Sequence, residues 1–244
     1  MTDGRLAMSE RPSWLMRRRL RYKRQPIVPL DELRDRLKTG DIILFHKTAR
    51  TGLFDTLELD FVAPLFFERN EFRHSGIVVR RDDGLFVIEC TEEFHSGHVH
   101  ARYPTGGKGI REVPLELLLQ EYTHDNGDPH FGVRFIGHEL SAEALMEIVR
   151  KIGPVSYLNA SRSVPIYLSK YVLPSGAVQR IIDRYTNQMM CSEFVHFVLA
   201  KCGALRAYPS KLFAPYILEN PNLFQRHDIA GYSDIVRFTV NGNR

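Results

Sequence analysis

The tightest constraint on how this chain can fold is a pair of apolar runs joined by one short turn. His74-Ser75-Gly76-Ile77-Val78-Val79 and Leu85-Phe86-Val87-Ile88-Glu89-Cys90 are rich in β-branched and large apolar residues. Arg81-Asp82-Asp83-Gly84 between them carries the residues of a tight hairpin turn. If Asp82 and Asp83 form a two-residue loop, Val79 faces Phe86, Ile77 faces Ile88, Gly76 faces Glu89 and His74 faces Thr91. Glu89 then becomes the diagonal neighbour of His74 on one face of the ribbon, within reach of a long side chain. A slip of one residue would send Glu89 to the opposite face. The turn therefore predicts an acid beside an imidazole.

A second stretch, Met190-Cys191-Ser192-Glu193-Phe194-Val195-His196-Phe197-Val198-Leu199-Ala200-Lys201-Cys202-Gly203, reads as a helix. Phe194, Val195, Val198 and Leu199 share one face, and Gly203 is the left-handed stop. Cys191 falls in the first turn, among backbone N–H groups and at the positive end of the dipole, where thiolate is favoured. Cys202, at the negative end, is expected to be a poor nucleophile. The plain alternative for Cys191 is a packing cysteine, since free cysteine is among the most buried residue types. For His74 it is a strand histidine bonded to a carbonyl, and for Glu89 a surface carboxylate. That last reading fits poorly with an acid following Leu-Phe-Val-Ile, because burying an unpaired charge is costly.

Around these pieces the chain reads as α+β, with strands in its first and last parts and helices between. Asp31–Lys38 is expected as a short helix capped by Asp31, followed by a Gly40-Asp41 turn into an Ile42–Phe45 strand. Asp41 is expected to serve the turn, not chemistry. Residues 51–67 place Phe54, Leu57, Phe61, Leu65 and Phe66 at helical spacings. Residues 92–109 read as a loop or an irregular hairpin, 115–121 as helix, 123–129 as loop and 131–136 as strand. Ser141 caps a helix to about Ile152 that Gly153 closes. Short helices are expected at 164–168, 177–185 and 212–218, and a closing strand at 235–240.

Charge divides the chain. Residues 1–24 hold Arg5, Arg11, Arg17, Arg18, Arg19, Arg21, Lys23 and Arg24 against Asp3 and Glu10, a net of +6 within an overall +4, so the remainder is −2. Residues 1–30 are therefore read as a basic arm and linker, and 31–244 as one domain. The segment 11–24, with Trp14, Leu15, Met16 and Leu20, could lie on an acidic membrane surface, touch nucleic acid or stay a solvated tail. Three cysteines make no disulfide framework and fit a reducing compartment. No apolar run approaches membrane-span length and no secretory core opens the chain, so a cytoplasmic or intracellular protein is expected. His95, His98 and His100 lack a convincing fourth ligand, so no metal site is expected.

Four segments together carry a resemblance. Leu37-Lys38-Thr39-Gly40-Asp41-Ile42-Ile43-Leu44-Phe45, Arg73-His74-Ser75-Gly76-Ile77-Val78, Val87-Ile88-Glu89 and Met190-Cys191-Ser192-Glu193-Phe194-Val195 resemble the circularly permuted branch of the NlpC-like, papain-fold thiol hydrolases. That branch includes bacterial permuted papain-like amidases and a poxvirus homologue, with lecithin:retinol acyltransferase a more distant relative. Ordinary papain-like enzymes place the cysteine helix before the histidine strand; here the order is His, acid, Cys. Gly153-Pro154-Val155-Ser156-Tyr157 is a looser match to a Gly-x-x-Tyr segment of the family.

The resemblance implies an antiparallel sheet or partial barrel packed on the cysteine helix, with Cys191 as nucleophile, His74 as base and Glu89 as orienting group. It implies a thiol hydrolase of the amidase or peptidase kind, acting on a peptide, amide or isopeptide bond without a cofactor. Two alternatives remain open: lipid acyl hydrolysis or transfer, suggested by residues 51–67 and the basic arm, and a non-catalytic binding protein on the same fold.

Overall fold

The Asp82-Asp83 turn closes the hairpin in the register its length demands, and a sheet builds outward from it. The computed structural model describes residues 26–46, 71–91, 102–104, 109–126, 130–158, 187–213 and 215–240, with 177, 180 and 183 besides. Its strands are β1 Val28–Pro29, β2 Ile42–His46, β3 Phe72–Arg81, β4 Gly84–Cys90, β5 Ile110–Pro114, β6 Phe131–Arg134, β7 Ser156–Tyr157, β8 Gln188–Met189 and β9 Val236–Thr239. Its helices are α1 Leu30–Leu33, α2 Leu115–Asn126, α3 Ala142–Ile152, α4 Cys191–Lys201, α5 Pro215–Glu219 and α6 Pro221–Phe224. The basic arm, the aromatic segment 51–67, His95, His98, His100 and the helix expected at 164–168 lie outside the described residues, as does most of 177–185.

Among the described residues one sheet runs in the order β1-β9-β6-β2-β3-β4-β5, and β7 and β8 form a separate parallel pair. Within the large sheet β1 pairs β9 in parallel and every other pairing is antiparallel. The protein is thus α+β with a mostly antiparallel sheet. In the hairpin Gly76 pairs Glu89, Ile77 pairs Ile88, Val78 pairs Val87 and Val79 pairs Phe86. A Cβ on Gly76 would stand 2.5 Å from the Val87 side chain. Glycine is what lets the two strands close at that point.

Alternation sorts the strand side chains onto two covered faces. Ile42, Leu44, Ile77, Val79 and Ile88 pack with Phe194, Val195, Val198 and Leu199 of α4 and with Leu145 and Val149 of α3. Ile43, Phe45, Val78, Val87 and Val113 pack with Leu115, Leu118, Leu119 and Tyr122 of α2. Two covered faces explain why these strands read as unbroken apolar runs, a pattern more usual in parallel sheets. Gly203, at φ 76, ends α4 in the left-handed region as expected. No helix among the described residues is long and apolar enough to cross a membrane.

Several expectations change. Pro29, not Asp31, is the N-cap of α1, because its fixed extended backbone pairs with Thr239 and the helix starts directly after it. Val28 and Pro29 therefore belong to the sheet, three residues before the boundary drawn at 31. Helix α2 continues to Asn126 through the expected loop. Buried Tyr122 holds that turn down, and Thr123 Oγ1 donates back to the Leu119 carbonyl at 2.7 Å. The helix expected at 212–218 is a 3₁₀ turn, Ser210–Leu212, followed by α5. Strand β5 follows directly on the polar stretch, where no element was expected, and β6 stops at Arg134.

Buried Arg134 clamps the C-terminal segment to the sheet. Its Nε donates to the Leu218 carbonyl at 2.7 Å, Nη1 to the Ser233 carbonyl at 2.8 Å and Nη2 to the Glu219 carbonyl at 3.2 Å. The Glu219 carboxylate in turn accepts the Glu71 and Phe72 N–H groups at the start of β3.

Asp41 serves the turn, as expected. Its Oδ2 accepts the Lys38 N–H and its Oδ1 the Ile136 N–H, each at 2.7 Å, tying the entry of β2 to the exit of β6. Asp41→Ala leaves both donors without their acceptor and should cost about 2–4 kcal/mol, read from urea unfolding; a loss within about 0.5 kcal/mol would remove Asp41 from this role. Burial raises the Asp41 pKa from 3.8 to about 6. A raised carboxylate binds its proton more tightly in the fold, so its contribution to stability falls as pH climbs through that window.

Candidate active site

The paired hairpin puts Gly76 opposite Glu89, so the Glu89 side chain projects on the same face as that of His74, two residues back along β3. His74 Nε2 and Glu89 Oε2 are 2.7 Å apart. A carboxylate can only accept, so Nε2 carries the proton and donates it. With Nε2 engaged, Nδ1 is the nitrogen left for the other hydrogen bond of the ring, which goes to the Cys191 side chain. The structure thus brings His74, Glu89 and Cys191 into one hydrogen-bonded chain. The glutamate side chain is fully buried and the imidazole is 11% exposed.

Cys191 opens α4, where Met190 at the N-cap has an extended backbone and no side-chain oxygen for the first-turn amides. The helix start is held from below. Glu193 Oε1 pairs with Lys211 Nζ at 2.9 Å, and Lys211 also donates to the Gln188 carbonyl. Ser192 Oγ donates to the Phe213 carbonyl at 2.7 Å. Docked on β8 and the 3₁₀ turn, the helix start carries a buried Cys191.

The electrostatics form a relay. Burial would raise the Glu89 pKa, but the Arg111 guanidinium and His74 outweigh it and hold the carboxyl at about 2. Burial would likewise lower the His74 pKa, but Glu89 and Cys191 outweigh it and push it up to about 10. For Cys191, burial works against ionisation, while the charge and hydrogen bond of His74, with hydrogen bonding from Ser75, bring the thiol below its ordinary range. The arrangement favours a thiolate–imidazolium pair over a free thiol beside a neutral ring, and the thiolate is the form in which a cysteine attacks carbonyl carbon.

The other thiols contrast with it. Cys90 donates to the Met189 carbonyl at 3.3 Å, and burial pushes its pKa well up. For Cys202 burial raises the pKa to about 11, which disfavours thiolate through desolvation and not through the helix end. His196, also on α4, is not a second base: it stacks on Phe213 at 4.3 Å and burial drops its pKa to about 4. Its Nε2 donates to the Arg206 carbonyl and its Nδ1 accepts from Ser210. Among the described residues no cluster of His, Cys, Asp and Glu could hold a metal ion.

Sequence reasoning missed three neighbours. Arg111, on β5 directly opposite Glu89, sends Nε to Glu89 Oε1 at 2.7 Å and reaches Glu121 Oε1 with Nη2 at 3.3 Å. Tyr122 of α2 stacks on the His74 ring at 5.8 Å and 19°. Phe45, paired with His74 across β2, lies 5.5 Å from it. The one available signal was Glu89 itself, since a carboxylate inside an apolar strand requires a cation nearby.

No protein-family model matches the chain. It is 33% identical over 216 residues to a protein of Acanthamoeba polyphaga mimivirus carrying the name "Uncharacterized protein R372". The alignment covers 85% of this chain and 84% of that protein. Similarity of that depth across nearly the whole of both makes this chain a member of the same family as mimivirus R372.

Proposed function

We propose that the protein is a cysteine-dependent hydrolase that cleaves an amide bond through a Cys191 acyl-enzyme, on a permuted papain-like fold of the NlpC kind. The supporting observation is the unbroken relay from the Cys191 thiol through the His74 imidazole to the buried Glu89 carboxylate. The Cys191 thiolate attacks the carbonyl carbon, and the first-turn amides of α4 face the developing oxyanion. The C–N bond breaks as imidazolium His74 gives its proton to the leaving amine. Neutral His74 then takes a proton from water, whose oxygen attacks the thioester. The C–S bond breaks, releasing the acid and restoring the ion pair. Glu89 keeps the imidazole in one tautomer and balances its charge throughout.

Peptide and isopeptide bonds are the proposed substrates. The lipid-acyl alternative was suggested by residues 11–24 and 51–67, which lie outside the described residues. The test is to incubate the protein with a cell lysate, quench in acid and weigh the Cys191 peptide. An acyl adduct on Cys191, absent from Cys191→Ser, is the expected result, and its mass names the acyl group. A Cys191 that never carries an acyl group, and reacts with iodoacetamide no faster than Cys202, would point instead to a binding protein.

A further inference from the structure

Glu89 reaches His74 with one oxygen only, and what the other oxygen does is as constrained. Glu89 Oε1 receives Arg111 Nε at 2.7 Å and Arg111 Nη2 at 2.6 Å. Arg111 is itself buried, and its far side is met by Glu121 of α2, whose side chain is only 7% exposed. These residues come from three elements, β4, β5 and α2, and none is needed there to hold a surface charge. Burying two carboxylates and a guanidinium under a sheet is costly, and an apolar trio of similar volume would serve stability as well. The arrangement acquires a purpose once the opposite oxygen of Glu89 is seen to hold the imidazole.

We propose that Arg111, backed by Glu121, is a positioning residue of the site: it fixes the rotamer and the negative charge of Glu89, and through Glu89 the ionisation of the His74–Cys191 pair. This role rests on the hydrolase reading above. Arg111 grips Oε1 with two nitrogens of its planar fork, so Glu89 cannot rotate without breaking both contacts. That leaves Oε2 aimed at Nε2. The guanidinium also separates two buried anions. Without it Glu89 and Glu121 share one low-dielectric pocket, and one must take up a proton. A protonated Glu89 offers the imidazolium no counter-charge, and the thiolate loses its partner. Among the described residues the charged or titratable groups linked to Glu89 are Arg111 from β5, His74 from β3, Tyr122 from α2 and Cys90 from β4 itself, with Glu121 of α2 behind Arg111 and Cys191 of α4 behind His74. Of these Arg111 alone is permanently cationic.

The test needs no substrate. The rate of iodoacetamide alkylation at Cys191, resolved from Cys90 and Cys202 by peptide mass, is followed against pH in the full chain. In the wild type the midpoint is expected well below that of a free thiol. Arg111→Met should raise it by about one pH unit or more, a tenfold change in the ionisation constant, with urea unfolding reporting separately on the fold. In a Glu89→Gln background the same substitution should add no further shift, because its effect runs through Glu89. Should Arg111→Met not fold, Arg111→Met/Glu121→Gln removes the cation together with its second counter-charge and should still raise the midpoint, by less, because Glu89 stays buried without its cation but no longer faces a second anion.

A depressed wild-type midpoint that these variants leave in place would overturn the role of Arg111 and spare the hydrolase reading. An equal shift with and without Glu89 would also overturn it. A wild-type midpoint like that of a free thiol would overturn both.

Discussion

His74→Ala should lower turnover of the substrate identified from the Cys191 adduct by about 10³-fold or more while the chain stays folded. The loss has two parts. Without the imidazolium beside it, the buried Cys191 returns toward or above an ordinary thiol pKa, leaving at pH 7 on the order of a few per cent thiolate. Part of that deficit is recovered, because a more basic thiolate is intrinsically more nucleophilic. The second part is not recoverable: Ser75, which also hydrogen-bonds the sulfur, is no acid strong enough to hand a proton to the leaving amine. His196, stacked on Phe213 with its pKa lowered by burial and both ring nitrogens engaged by Ser210 and Arg206, does not substitute. The measurement is single-turnover acylation together with alkylation of Cys191 at several pH values. Retention of more than about a tenth of the wild-type rate would mean that His74 is not the proton carrier.

The largest effect on stability is expected at Arg134. Arg134→Met keeps much of the side-chain volume but withdraws three donors from the carbonyls of Leu218, Glu219 and Ser233, and removes the guanidinium 4.4 Å above the Phe224 ring. Leaving buried acceptors unpaired, the change should cost about 3–5 kcal/mol. In a domain of this size that corresponds to a fall in Tm of about 10 °C. The effect should reach the site, because α5 also positions Glu219 against the first residues of β3, two before His74. Urea and thermal unfolding decide the matter. A loss below about 1 kcal/mol would show that water replaces the donors and that the clamp holds nothing.

Most of the site was legible because it rests on short-range rules. A two-residue turn dictates hairpin register, so the His74–Glu89 relation followed from counting residues. The position of Cys191 followed from a helical apolar face and a glycine stop. Arg111 was not legible in that way. β5 is separated from β4 by a long polar segment whose Gly106-Gly107 marks a turn but fixes no register, so nothing in Ile110-Arg111-Glu112-Val113-Pro114 announces its partner. A neighbouring Arg-Glu pair also reads as solvent-facing, whereas here Arg111 and Glu112 are both buried on opposite faces of an edge strand. Helix α2 was cut short for a related reason: Thr123, Asp125 and Asn126 favour turns locally, and the burial of Tyr122 overrides them. In Cys202 the raised pKa arises from desolvation, which sequence position does not report.

His74 and Glu89 lie on a local ribbon near the start of the domain, whereas Cys191 arrives more than a hundred residues later on a helix that must dock across the sheet. During synthesis the imidazole and carboxylate leave the ribosome long before the sulfur does. Such distant docking is slow compared with hairpin closure. A half-made or unfolded polypeptide therefore carries an ordinary thiol, and the charge pairing that lowers the Cys191 pKa arises in the same event that completes the tertiary structure.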